Sequence, residues 1–157
     1  MARRPVAWVA AIVLFAEALG IVLMNWFLGL VVDRQDMSLA GLDPRAMSVG
    51  AWVAGGIFGL YLALCAFVLA RAAATDRSPG TVGRILLISA AVVHGLLGAF
   101  AIGLVGWLAF VLMMVVLALI VLTLVAYDRR DGAGTAAANG TAPPPAPPAS
   151  SPEPTTP

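Results

Sequence analysis

Hydrophobic positions in this chain fall into four long runs separated by short polar stretches. The first, residues 6–32, reads VAWVAAIVLFAEALGIVLMNWFLGLVV and contains one ionisable residue, Glu17. The others cover residues 49–70, 85–102 and 107–127. A helix rises about 1.5 Å per residue, so each run is of a length to cross a hydrocarbon core about 30 Å thick. The pattern predicts an all-α membrane protein, a four-transmembrane-helix bundle over residues 1–130.

The polar stretches carry the stop and start signals. Pro5 stands where the first turn of a helix tolerates proline. Asp43-Pro44 reads as an N-cap and first helical position for the second span, and Ser78-Pro79 repeats that pattern before the third. Between the third and fourth runs only Gly103-Leu104-Val105-Gly106 is left, which predicts a tight turn. From Asp131 onward the chain turns to Gly, Ala and Thr and then Pro. That composition has too little to bury, so residues 131–157 are expected to form a disordered tail with polyproline II character. The first run is too long for a secretory h-region of about 7–15 residues, and is read as a retained span.

Arginine sets the expected orientation. Arg3, Arg4, Arg71, Arg77, Arg84, Arg129 and Arg130 fall on one side of the four spans, and only Arg34 and Arg45 on the other. By the positive-inside rule both termini are cytoplasmic. Trp26, Trp52 and Trp107 fall at the opposite ends of their spans and Trp8 at an inner end, as an aromatic belt requires.

Composition agrees with this picture and narrows the chemistry. Of 157 residues, 61% are hydrophobic and 11% charged, whereas soluble domains run near a quarter charged. The net charge of +1 supplies no basic patch for a nucleic acid. Cys65 is the only cysteine, which removes an intramolecular disulfide and a multi-thiolate metal cluster. There is no phosphate-cradling Gly-rich loop, no His/Cys/Asp ligand set and no Ser-His-Asp arrangement. No catalysis, metal or cofactor is expected. Asn139-Gly140-Thr141 fits the glycosylation pattern but lies in the tail on the cytoplasmic side.

Three polar residues stand out by depth. Counted from the arginine-rich flank, Glu17 lies roughly 17 Å into the membrane, and His94 and Tyr61 each roughly 15 Å. All three fall near the bilayer centre, where a charge costs at least about 2.5–3.5 kcal/mol and seeks a partner. Glu17 is expected to face the bundle interior with His94 as its partner, the pair sharing one proton. Glu17, His94 and Tyr61 together form a candidate proton or ligand site. Asn25 sits at the outer interface beside Trp26, and Cys65, Ser89 and Thr123 can bond their own helix carbonyls, so no role is assigned to them. Met113 and Met114 read as packing residues.

Small residues suggest how the helices approach. Ala51, Gly55, Gly59 and Ala63 recur at every fourth position of the second span, and Ala91, Gly95, Ala99 and Gly103 of the third. Such stripes permit close backbone contact. Ala90 and Gly98 flank His94 by one turn on either side and leave room beside its ring. The fourth span is nearly all bulky and is expected to face lipid or another subunit. Two stripes exceed what one internal seam needs, so self-association or a membrane partner subunit is expected, in addition to the lipid bilayer itself.

Two resemblances add expectations. The segments NWFLGLVVDRQDMSLAGLDP and RILLISAAVVHGLLGA resemble small four-span integral membrane proteins of actinobacteria. Separately, Ala16-Glu17 with Gly20, Leu23 and Met24 is similar to the first helix of the small multidrug resistance transporters. In that family one membrane glutamate binds protons and cationic drugs in alternation, which would make Glu17 the coupling residue; His94 is foreign to the pattern. Two readings follow. The first is a non-catalytic accessory or interaction component of the plasma membrane. The second is a small proton-coupled transporter with Glu17 as its proton and substrate site.

Overall fold

The computed structural model describes residues 3–36 and 41–139. They form four α-helices in sequence, α1 (Arg3–Arg34), α2 (Pro44–Thr75), α3 (Thr81–Leu104) and α4 (Trp107–Asn139). All four are long and apolar enough to cross a bilayer, so the chain is a four-span membrane protein.

Local chemistry explains most of the boundaries. Asp36 takes a left-handed backbone conformation just after α1. Asp43 caps α2, its Oδ1 accepting from the amides of Arg45 at 2.8 Å and Ala46 at 3.3 Å, with Pro44 at the first helical position. α2 ends at Asp76, again left-handed. The third helix departs from expectation. Its N-cap is Gly80 with no side-chain cap bond, so Ser78-Pro79 precedes the helix without capping it. The turn into α4 is as tight as expected. Gly106 has φ +114°, a conformation in which an L side chain would be strained, and this lets Trp107 begin the next helix at once. α4 continues to Asn139, so residues 131–139 are helical where a disordered tail was expected; residues 140–157 lie outside the described residues.

The helices pack as two antiparallel hairpins. α1 and α2 lie together along most of their length and α3 packs on α4; α1 touches α4 less, and α2 touches α3 least. α1 and α3 are therefore diagonal partners with no close backbone approach. A side chain at Gly55 would collide with Asn25, and one at Gly59 with Val22. These two glycines let α2 lie directly on α1, as the first stripe predicts. The second stripe does not behave that way. Ala91 and Gly95 are half-buried, while Ala99 and Gly103 are exposed. The packed face of α3 is Leu87, Ala90, His94, Gly98 and Ala101, rotated by one residue from the expected one.

One core joins all four helices, and it occupies the half of the bundle nearer Arg4. Ala10, Leu14, Cys65, Leu69, Leu87 and Ile120 are buried there together. Beyond it the described contacts are mostly within each hairpin. No buried residue of α4 lies before Val116, and Gly98 of α3 meets Met114, Met113 and Phe110 of α4. At the Arg4 end the hairpins are pinned by polar contacts. Tyr127 on α4 donates its hydroxyl to the Ala72 carbonyl of α2 at 3.1 Å, and Arg84 on α3 makes a two-pronged ion pair with Asp128 on α4 at 2.8 and 3.1 Å. Arg4 donates to the carbonyls of Ala73 and Ala74, which the last turn of α2 leaves open. At the other end Trp26 and Trp52 stack with centroids 5.8 Å apart, and Trp52 Nε1 donates to the Trp26 carbonyl at 3.1 Å.

Candidate functional site

His94 and Glu17 meet. The imidazole is fully buried on the inner face of α3, and its Nε2 lies 3.0 Å from Glu17 Oε2 on α1. This contact crosses the diagonal of the bundle, between two helices whose backbones do not approach each other. The side chain of Glu17 keeps 15% of its surface accessible. One carboxyl oxygen thus meets the ring while the side chain stays partly accessible.

The geometry constrains where the hydrogens of the ring lie. His94 Nδ1 lies 2.7 Å from the Ala90 carbonyl, one turn back on α3. A carbonyl can only accept, so Nδ1 carries a hydrogen and donates it. Nε2 and Oε2 then need one further hydrogen between them. Either a neutral imidazole accepts from a protonated carboxyl, or an imidazolium donates to a carboxylate; both arrangements leave the pair with no net charge. Removing that proton would set a carboxylate against a nitrogen lone pair in a medium of low dielectric, where an unpaired charge is costly. The contact thus joins the two side chains through one shared hydrogen.

Tyr61 belongs to a different cluster. Its hydroxyl lies 2.7 Å from Ser89 Oγ, and Ser89 donates to the Leu86 carbonyl at 2.8 Å. With the serine hydrogen committed to that carbonyl, Tyr61 is the donor in the shared bond. Cys65 Sγ lies 3.9 Å from the same Leu86 oxygen. Three polar side chains on α2 and α3 thus tie those helices together at their weakest seam. Tyr61 falls level with Glu17 and His94 only if Arg71 and Arg84 lie at one height. The contacts of Val68 with Gly83, Cys65 with Leu86 and Tyr61 with Ser89 show a register offset from that by about one helical turn. Ser89 was legible as a small polar residue in the third span, but nothing in the pattern pointed it at α2.

The room expected beside His94 is taken. Ala90 supplies the carbonyl that orients the ring, and the space at Gly98 is filled by the Met114 side chain. Met113 and Met114 thus pack on α3. Asn25 donates to the Ile21 carbonyl and Thr123 to the Leu119 carbonyl, each within its own helix. Among the described residues no three His, Cys, Asp or Glu side chains gather as a metal-ligand set. No buried side-chain nitrogen or oxygen among them lacks a partner.

No protein-family model matches the chain, and neither the curated proteins nor the solved structures include a significant match to it. The two resemblances read from the sequence gain no support there.

Proposed function

We propose that this chain is a non-catalytic component of the plasma membrane that acts by association through its helix surfaces, with both termini in the cytoplasm. The observation that carries the reading is the face of α3 left unpacked. Ala99 and Gly103, half of a small-residue stripe, are exposed, and a side chain placed at Gly103 would meet nothing within 4 Å. Small residues at such spacing favour close approach of another helix. Among the described residues no buried side-chain nitrogen or oxygen lacks a partner. What α3 presents outward around this stripe is apolar, with Val92, Leu96 and Phe100 exposed.

The test is the mass of the protein released from detergent. A second copy or a partner subunit bound through α3 should be lost in Ala99→Trp while the helical signal stays unchanged. A strict monomer at all concentrations, with no co-purifying subunit, would contradict the reading. Orientation is tested separately by thiol labelling in whole cells. A cysteine replacing Gln35 should react with an impermeant reagent, and one replacing Ser78 only after the membrane is opened.

A second reading is favoured by one specific observation. Glu17 and His94 meet through one shared hydrogen, and the Glu17 side chain keeps 15% of its surface accessible. A proton-coupled transporter needs such a carrier. Under that reading Glu17→Gln keeps the fold and abolishes proton movement in liposomes containing the protein. Under the first reading Glu17→Gln leaves association intact.

A further inference from the structure

The seam of α1 and α2 carries an open apolar groove on its outer surface, separate from the pair at Glu17 and His94 and from the exposed stripe of α3. It measures about 620 Å³ and is walled by Trp8, Phe15 and Leu19 on α1 and Ala63, Phe67 and Ala70 on α2. It exists because small residues line its floor while large ones form its rims. From Trp8 to Leu19 it follows α1 for roughly 16 Å, about the depth of one leaflet of a hydrocarbon core about 30 Å thick.

Two arginines flank the last lining residues of the groove at the Arg4 end of the bundle. Arg4 lies one turn before Trp8 on the same face of α1, and Arg71 follows Ala70 on α2, four residues after Phe67. Both arginines are exposed, and neither is paired with a carboxylate among the described ion pairs. Arg4 donates to the carbonyls of Ala73 and Ala74, one turn beyond Ala70 on α2. Arg71 also borders a separate polar hollow of about 230 Å³ with Arg77, Thr75 and Ser78, toward the start of α3. Among the described acids at this end, Asp128 is paired with Arg84 and Asp76 has a partner of its own.

We infer that this groove is a binding site for an anionic phospholipid, with one acyl chain along α1 and α2 and the headgroup phosphate on Arg71 and Arg4. An apolar slot one leaflet deep that ends in two uncompensated arginines matches the two ends of such a lipid and no purely apolar partner. Guanidinium groups suit phosphate because they present planar, paired donors. Basic pockets between transmembrane helices take anionic headgroups for the same reason.

The experiment is mass spectrometry of the intact protein ejected from detergent micelles, with phosphatidylglycerol or phosphatidylcholine added in equal amounts. The wild-type protein should retain one phosphatidylglycerol in preference to phosphatidylcholine. Arg71→Gln should reduce that preference about fivefold, the effect of one surface arginine near a membrane. Arg45→Gln, at the far end of the molecule, should leave it unchanged. Ala16→Phe, an exposed position lining the groove, should reduce retention of both lipids. Equal retention of the two lipids, or equal effects of Arg71→Gln and Arg45→Gln, would overturn the inference. So would a two-chain mass that Ala16→Phe reduces to one, which would make a second copy the occupant.

Discussion

A histidine with a carbonyl on one nitrogen and a carboxyl on the other has little freedom in where its protons go. That constraint separates the substitutions at Glu17. Glu17→Gln retains a donor for His94 Nε2, because the amide N–H can replace the carboxyl hydrogen. Glu17→Ala leaves a buried ring nitrogen unsatisfied. A double-mutant cycle with Glu17→Ala and His94→Ala should give a coupling of about 1–2 kcal/mol, the range of interhelical polar contacts in membranes. Unfolding of the four proteins in mixed micelles measures it, and additive losses would mean that the contact contributes nothing. Tyr61→Phe removes one donor and leaves Ser89 bonded to Leu86, so the loss should be only about 0.5–1.5 kcal/mol.

At the scale of the helix, the hairpin of α1 and α2 depends on the missing side chains at Gly55 and Gly59. Gly59→Ile would drive a branched side chain into Val22 and the Ala18 carbonyl. The two helices must then separate, and the variant should unfold at lower denaturant than Gly56→Ile, whose position is exposed and open. Equal midpoints would contradict the close approach. The start of α2 is a milder case, where Asp43→Ala should cost about 1 kcal/mol by freeing the Arg45 and Ala46 amides.

The same helices show how far a sequence of this kind can be read. The four spans, the Asp43-Pro44 start, the turn at Gly106 and the meeting of Glu17 with His94 were all legible. Each rests on a local signal or on a polar group too costly to leave in lipid. The face of α3 and the register of α2 against α3 were not legible. Lipid tails are as apolar as Leu, so a helix that is apolar on every side carries little information about its rotation. Residues 90, 91, 94, 95, 98 and 99 of α3 offered two small-residue faces one residue apart, and the packed one was the face carrying His94. The depth of Tyr61 failed for a related reason, because arginines at a membrane surface mark a zone rather than a level.

Across the whole molecule, two hairpins share a core over the half nearer Arg4, and the Glu17–His94 contact crosses between their diagonal helices. That contact is the centre of the account, and the nitrogen-15 spectrum of His94 tests it most directly. Across the pH range in which the protein stays folded, Nδ1 should remain protonated. Glu17→Gln should leave a neutral ring with its hydrogen on Nδ1. A ring that carries its neutral-form hydrogen on Nε2, or one whose signals do not respond to Glu17→Gln, would contradict the account.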